Sequence, residues 1–222
     1  MRRSMAVIFD MDGVLVDSAA AHLRAWVELG DEVGTPFSAE RFRSTFGRTN
    51  ASILPEWLGP LAPERLRDLD LRKERLYRRF VRQGAVRVYA RVPELLRELR
   101  NRGAGVAIAS SGPRANVALL VDTIGAHALV DVTVAAEDVR QGKPHPEVFL
   151  RAAERLGVQP AHCAVVEDSV HGIEAAKRAD MLAIAVLTST PRDRLAAAGA
   201  DVFIEEVGGL EVAGLLQTLA RT

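Results

Sequence analysis

Short apolar runs alternate with helical patterns along the chain after residue 90, and this alternation constrains the fold more than any other feature. Continuous runs of this kind are typical of strands that are buried on both faces of a sheet. Strands that alternate with helices pair in parallel through right-handed crossovers. The pattern therefore predicts an α/β fold with a doubly wound parallel sheet. The predicted strands are residues 5 to 9 and the runs GVAIAS, DVTV, CAVVED, MLAIAV and VFI.

Residues 18 to about 83 interrupt this alternation with helical patterns alone. Leu23, Trp26, Val27 and Leu29 recur at helical spacing, and Pro63 begins a long, heavily charged helix. Since the run at residues 5 to 9 belongs to the sheet by its composition, the helices form an insertion. We predict a core of residues 1–17 and 88–222 and an all-helical domain of residues 18–87.

The composition is that of an ordinary globular enzyme or binding protein, because 48% of the 222 residues are hydrophobic. Lys and Arg number 29, as do Asp and Glu, so no net charge favours nucleic acid or a membrane surface. The single cysteine, Cys163, fits a reducing compartment. We expect a cytoplasmic protein, a monomer or weak homo-oligomer, whose partner is a small molecule.

Polar residues follow several of the predicted strands. Ligands of doubly wound sheets bind beyond the carboxyl ends of the strands. Each residue alone is explained as a turn, a helix cap or a surface charge, but carboxylates at the end of a buried strand need compensation. We therefore predict one shared site. Its candidates are Asp10 and Asp12, Ser110 and Ser111, Glu167 and Asp168, and Lys143 in the loop GKPHPE.

These residue types favour phosphoryl transfer. Asp10 and Asp168 provide the hard oxygen ligands that Mg²⁺ prefers. In an extended segment Asp12 lies on the same side as Asp10, so one carboxylate can attack while the other moves a proton. Positive charge and N–H groups at the remaining strand ends suit a phosphoryl group. The predicted phosphoryl ligands are Lys143, the Ser110 hydroxyl and the N–H groups near Met11 and Ser111, and Gly112 is a further predicted substrate contact.

Four stretches resemble, in order, the four motifs of the haloacid dehalogenase superfamily. They are DMDGVLVDS at residues 10 to 18, ASSG at 109 to 112, GKPHPEVF around Lys143, and VVEDSVHGIEAA at 165 to 176. The first and the last together are highly specific. The resemblance covers nearly the whole chain and implies a Rossmann-like core with a helical cap domain inserted after the first motif. That branch of the superfamily includes phosphatases and beta-phosphoglucomutase.

The resemblance also implies a role for each motif residue. Asp10 is expected to be the nucleophile that forms an aspartyl phosphate, and Asp12 the general acid and then the base. Mg²⁺ is expected on the Asp10 side chain, the Asp12 carbonyl and Asp168, with Glu167 assisting directly or through water. Ser110 and Lys143 are expected to hold the phosphoryl oxygens. For Asp17, a structural role as a cap or turn residue and a catalytic role are equally consistent with the sequence.

The insertion carries the candidates for substrate recognition. AHLRAWVEL resembles a helix of beta-phosphoglucomutase, which has histidine and tryptophan at the places of His22 and Trp26. Around Gly47 the mutase uses a lysine and an arginine for a second phosphate, whereas this chain has Phe46 and Asn50. The missing charges favour a phosphatase over a mutase. The predicted substrate contacts here are His22, Arg48, Asn50 and Lys73.

Two other classes compete with these hypotheses. A haloacid dehalogenase needs the nucleophile Asp10 but neither Mg²⁺ nor a proton shuttle, so Asp12, Glu167 and Asp168 argue against it. A phospho-accepting receiver module also combines acids, a hydroxyl and a lysine on a parallel sheet. Receivers are shorter, however, and have no helical insertion. We therefore predict a Mg²⁺-dependent phosphatase, with a sugar phosphomutase as the alternative.

Overall fold

The computed structural model of the protein describes residues 3–45 and 48–221. The chain divides into two compact units. The first, called the larger unit, consists of Met1–Asp17 and Val88–Thr222, and the second, called the helical unit, is Ser18–Arg87.

A six-stranded parallel sheet forms the centre of the larger unit, which confirms the predicted α/β fold. Its strands are β1 (Ala6–Phe9), β4 (Gly105–Ala109), β5 (Val132–Val134), β6 (Cys163–Glu167), β7 (Leu182–Val186) and β8 (Val202–Ile204). Two short strands, β2 (Val16–Asp17) and β3 (Arg87–Val88), were not predicted.

Strand β1 lies in the middle of the sheet, whose order is β5-β4-β1-β6-β7-β8. Its four residues are completely buried, as its apolar sequence AVIF predicts. Ala6 pairs with Gly105 of β4 on one side and with Cys163 of β6 on the other. The strand order reverses direction next to β1, and the crevice at such a reversal is where α/β sheets bind ligands.

Helices connect the strands of the larger unit. Their buried faces are apolar; on the helix after the Lys143 loop, for example, Val148, Phe149 and Ala152 are buried. Cys163 is buried in the same core, and burial raises the pKa of its thiol to about 12, as expected for an inert residue. The helices are α5 (Val92–Asn101), α6 (Arg114–Ile124), α7 (Glu147–Leu156), α8 (Val170–Arg178), α9 (Arg192–Ala197) and α10 (Val212–Leu219).

The helical unit contains α1 (Ala19–Val33), α2 (Ala39–Thr45), α3 (Asn50–Leu58) and α4 (Pro63–Arg82). Helix α3, which contains Pro55, was not predicted as a separate helix. Three aromatic rings occupy its core: Trp26 stacks on Phe37, and the Trp57 ring meets both of them edge-on. Val27, expected on the buried face of α1, is 40% exposed.

Within residues 3–45 and 48–221, none of the helices has both the length and the apolar character that crossing a membrane requires.

Candidate active site

Lys143 connects three strand ends of the larger unit. Its ammonium donates to Asp10 Oδ1 at 2.5 Å and to Glu167 Oε1 at 2.5 Å. It also lies 3.4 Å from the carbonyl oxygen of Ala109, the last residue of β4. The Lys143 side chain is only 7% exposed, so this ion pair is shielded from water. The acids that follow β1 and β6 therefore share one buried cation.

The loop that carries Lys143 is held by charged side chains outside this cluster. Glu147 Oε2 accepts hydrogen bonds from the backbone N–H groups of Arg140 and Gln141, at 3.1 and 3.0 Å. Arg178 of α8 donates to the carbonyl oxygen of Pro144 at 2.7 Å. These contacts fix the loop on both sides of the lysine, and sequence reasoning did not identify them.

Both carboxylate oxygens of Glu167 are engaged by protein donors. While Oε1 binds Lys143, Oε2 accepts from the N–H groups of Asp168 and Ser169, each at 2.8 Å, and from the Ser169 hydroxyl at 2.9 Å. Gly172 makes room for this arrangement, because a Cβ atom there would lie 1.9 Å from Glu167 Oε1. Glu167 thus orders the turn before α8 and holds Lys143.

Asp10 and Asp168 are buried acids at the same edge of the sheet. The Asp10 N–H donates to the Val166 carbonyl at 2.9 Å, which extends the ladder between β1 and β6. Burial raises the pKa of Asp10 to about 7, with Lys143 opposing the shift and Glu167 and Asp12 adding to it. Burial, followed by the charges of Glu167 and Asp10, raises the pKa of Asp168 well above its usual range.

Gly13 forms the tight turn after β1. Its φ of 82° lies in the left-handed region, and its N–H donates to the Val16 carbonyl at 2.8 Å. A Cβ atom on Gly13 would lie 1.9 Å from Asp168 Oδ2, so only glycine allows the two segments to approach this closely. Asp12 precedes this turn and is half-buried.

The donor set at this edge fits a small, hard cation. Three buried acids, Asp10, Glu167 and Asp168, lie at this edge beside one ammonium, which contacts Asp10 and Glu167, so the carboxyl groups outnumber the cation that can neutralise them. Among the described residues no group of three or more Asp, Glu, His or Cys side chains converges on a metal position. Since Glu167 is bound to protein donors, the candidate ligands reduce to two carboxylates, Asp10 and Asp168, and the Asp12 carbonyl. Mg²⁺ is commonly held by one or two carboxylates and several waters.

Ser110, Ser111 and Gly112 follow β4, next to the strand end that Lys143 contacts. Ser110 is 3% exposed, and its hydroxyl accepts a hydrogen bond from the Gly112 N–H at 3.0 Å. That contact occupies the Gly112 N–H, while Ser111 is exposed. The three residues thus form a compact turn in which the Ser110 hydroxyl oxygen is an acceptor for the Gly112 N–H.

Two residues after β7 also reach this edge, and sequence reasoning missed them. The Ser189 hydroxyl donates to Asp168 Oδ2 at 2.5 Å, and the Thr188 hydroxyl donates to the Gly13 carbonyl at 2.5 Å. They follow the predicted strand MLAIAV with only Leu187 between. Applying the rule about carboxyl strand ends to this strand as well would have identified them.

In the helical unit, the structure brings His22 and Lys73 together. The Lys73 ammonium lies 2.9 Å from His22 Nδ1 and 2.8 Å from Glu74 Oε1. Because an ammonium only donates, Nδ1 accepts and the ring hydrogen of His22 is on Nε2. The His22 ring stacks on Tyr77 with centroids 4.0 Å apart. Lys73 and Glu74 are buried although they lie on the heavily charged helix α4.

Asn50 joins this cluster, but Arg48 does not. The Asn50 amide donates to Asp70 Oδ1 and to Glu74 Oε1, each at 2.7 Å. Arg48 instead forms an exposed ion pair with Glu56 at 2.7 Å. Phe46 and Gly47, which belong to the stretch that was compared with the second phosphate site of the mutase, lie outside the described residues.

Comparison with known proteins agrees with this geometry. A family model described as haloacid dehalogenase-like hydrolase matches residues 5–180. Validoxylamine A 7'-phosphate phosphatase of Streptomyces hygroscopicus subsp. limoneus is 31% identical over 90% of this chain and 92% of its own length. Beta-phosphoglucomutase of Bacillus subtilis (strain 168) is 32% identical over 92% of this chain and 91% of its own length.

Other relatives are much longer or are known from their structures. Over 95% of its length, this chain is 32% identical to the chloroplastic protein SUPPRESSOR OF QUENCHING 1 of Arabidopsis thaliana. It covers only 20% of the length of that protein. The solved structure of a HAD hydrolase, family IA, variant 3, from Entamoeba histolytica HM-1:IMSS superposes with a TM-score of 0.89 at 25% identity and covers 97% of this chain and 99% of that one. The fold, the four motifs and the family match together show that the chain belongs to the haloacid dehalogenase-like hydrolases.

Proposed function

We propose that the protein is a Mg²⁺-dependent phosphatase that releases phosphate from a small phosphorylated metabolite, such as a sugar phosphate, through an aspartyl phosphate on Asp10. The observation that carries the proposal is the Lys143 ammonium held 2.5 Å from both Asp10 and Glu167, beside the end of β4. A buried cation next to an acid and a serine hydroxyl suits a phosphoryl group and its transfer. The relatives named as a phosphatase and as a phosphoglucomutase support this class of reaction.

Asp10 acts as the nucleophile. Lys143 holds its Oδ1, which leaves Oδ2 to attack phosphorus. A P–O bond to Asp10 forms while the P–O bond to the leaving alcohol breaks. Lys143 and the Ser110 hydroxyl bind the phosphoryl oxygens and stabilise the negative charge that spreads over them. Asp10, Asp168 and the Asp12 carbonyl would hold Mg²⁺, which would supply positive charge between these acids and the phosphoryl group.

Asp12 moves the protons. In the first step its carboxyl group gives a proton to the oxygen of the leaving alcohol. In the second step the resulting carboxylate takes a proton from water, whose oxygen attacks phosphorus and breaks the bond to Asp10. Asp10 and Asp12 are thereby restored, and inorganic phosphate is the product. His22, Arg48, Asn50 and Lys73 are proposed as contacts to the rest of the substrate.

The hydrogen-bond partners of Asn50 and Arg48 in the helical unit favour hydrolysis over mutase activity. A mutase must hold a bisphosphate through two transfers. Asn50 is uncharged and is engaged by Asp70 and Glu74, while Arg48 is paired with Glu56. The second phosphate therefore has less positive charge to hold it, and water reaches the aspartyl phosphate first. We propose a cytoplasmic enzyme, monomeric or weakly homo-oligomeric, with no nucleic acid or membrane partner.

Removal of divalent metal tests the cofactor. We expect EDTA to abolish release of phosphate from p-nitrophenyl phosphate and added Mg²⁺ to restore it, because Asp10, Asp168 and the phosphoryl group are all negatively charged. Repeated turnover also distinguishes an enzyme from a receiver, which would be phosphorylated once. Full activity in the chelator would show that the reaction needs no metal.

Sugar phosphates test phosphatase against mutase. Each hydrogen bond to a charged group contributes roughly 1.5 to 3 kcal/mol, so lacking two of them weakens retention of a bisphosphate by tens-fold or more. We expect phosphate release from sugar phosphates to exceed conversion of beta-glucose 1-phosphate to glucose 6-phosphate, even when the bisphosphate is supplied. Efficient interconversion with little free phosphate would instead support the mutase. In that case Arg48 and Lys73 would be the residues to test as phosphate ligands.

A further inference from the structure

We infer that Ser189 is a positioning residue that restricts Asp168 to a single metal-facing oxygen and so favours Mg²⁺ over Ca²⁺. This inference rests on the proposed function, since it concerns the cation that Asp168 is proposed to hold. It adds a residue that lies outside the four motifs, in the segment after β7.

The hydrogen bonds of Ser189 decide which oxygen it occupies. Its hydroxyl oxygen lies 2.5 Å from Asp168 Oδ2 and 3.1 Å from the Asp168 backbone carbonyl. A serine hydroxyl has one hydrogen, and the shorter contact, to the carboxylate, takes it. The Thr190 hydroxyl, 3.5 Å away, provides a further weak contact to the same oxygen of Ser189. Ser189 is therefore a donor to Oδ2.

The backbone of Gly13 covers the same carboxylate oxygen. A Cβ atom built on Gly13 would be 1.9 Å from Asp168 Oδ2 but 3.3 Å from Oδ1, so Oδ2 is the oxygen that packs against the turn. The neighbouring hydroxyl of Thr188 donates to the Gly13 carbonyl at 2.5 Å and ties that turn to the same segment. Oδ2 is thus occupied by Ser189 and enclosed by Gly13, which leaves Oδ1 for a cation.

A carboxylate that offers one oxygen discriminates between hard cations. Mg²⁺ requires near-ideal octahedral geometry and takes few carboxylate oxygens, whereas Ca²⁺ accepts six to eight ligands and often binds a carboxylate through both oxygens. Hydrogen bonds that orient a ligating carboxylate typically change metal affinity 10- to 100-fold when they are removed. Loss of the Ser189 hydroxyl should therefore weaken Mg²⁺ binding and allow Asp168 to bind Ca²⁺ through both oxygens.

Ser189 is a practical site for mutation because it is exposed, so removing its hydroxyl leaves no cavity in the core. Ser189→Ala removes the donor, and Ser189→Thr keeps it and adds a methyl group towards open space. Thr218→Ala is a matched control, since that hydroxyl lies on α10 and donates only to the Gly214 carbonyl of its own helix. Asp168→Asn tests the metal site itself.

The measurement is calorimetric titration of the metal-free, full-length protein with MgCl₂ and, separately, with CaCl₂. For Ser189→Ala we expect the Kd for Mg²⁺ to rise about tenfold and the ratio of the Ca²⁺ Kd to the Mg²⁺ Kd to fall by at least as much. Ser189→Thr and Thr218→Ala should keep the wild-type values. Asp168→Asn should lose Mg²⁺ binding.

Other results would overturn either this inference or the proposed function. If Asp168→Asn loses Mg²⁺ binding but Ser189→Ala keeps both affinities, or weakens both metals equally, Ser189 does not select the cation. A Ser189→Thr protein that behaves like Ser189→Ala would contradict a role for the hydroxyl. If the wild type binds no Mg²⁺, or Asp168→Asn binds it normally, the proposed metal site fails, and the inference fails with it.

Discussion

The Asp10→Asn protein is expected to show no measurable release of phosphate from any substrate, whereas the wild type turns over. An amide oxygen is a poor nucleophile, and the substitution changes the shape of the side chain very little. Single-turnover assays should detect neither phosphate nor a phosphorylated protein. Asp180→Asn is a matched control, because that acid is exposed and asparagine tolerates its positive φ of 56°.

The same substitution should leave the fold intact or slightly more stable. Burial raises the pKa of Asp10 from 3.8 to about 7, so the cost of its carboxyl group to folding grows as the pH rises between these values and is complete above about 7. This cost is absent in the asparagine variant, and Lys143 keeps its second partner, Glu167. Thermal denaturation at pH 8 in EDTA measures the difference. Retained turnover by a well-folded Asp10→Asn protein would show that another residue attacks phosphorus.

The Asp12→Asn protein should hydrolyse alkyl phosphates about a hundredfold more slowly than the wild type, the usual scale for loss of a general acid or base. Aryl phosphates such as p-nitrophenyl phosphate have good leaving groups and need less help from an acid. The first step, followed as a burst of p-nitrophenol, should therefore be nearly normal, while the release of phosphate slows because the base for water is missing.

Comparison of the two substrate classes decides whether Asp12 is the acid. Equal slowing of the first step for alkyl and aryl phosphates would mean that Asp12 does not protonate the leaving group. Mass spectrometry of the stalled variant should detect a phosphoryl group on the protein, and peptide mapping should place it on Asp10. A phosphoryl group elsewhere would contradict the proposed nucleophile.

Much of the larger unit was predictable because its strands are short, apolar and buried on both faces. The runs AVIF and CAVVE are buried, and their short length and β-branched residues distinguish them from helices. The candidate acids were found because Asp10 and Glu167 end or directly follow such strands. The contact of Lys143 with both acids depends on the conformation of a loop, and only its residue type was visible in the sequence.

Other parts depended on tertiary contacts that local patterns do not encode. The burial of Lys73 and Glu74 on α4 follows from their hydrogen bonds with each other and with His22 and Asn50. Helical periodicity alone predicts that charged residues such as these lie on the solvent-exposed face of the helix. Ser189 lies in a polar segment that looks like an ordinary turn, and only its distance to Asp168 reveals its contact.

The central place of β1 in the sheet has a consequence for synthesis on the ribosome. Ala6 begins β1, but its partners, Gly105 and Cys163, are translated only after the whole helical unit. Until then an apolar strand has both edges unpaired, a state that favours aggregation and chaperone binding. Contacts so distant in sequence also slow folding. We therefore expect β1 of the nascent chain to lack its second sheet partner until β6 has emerged.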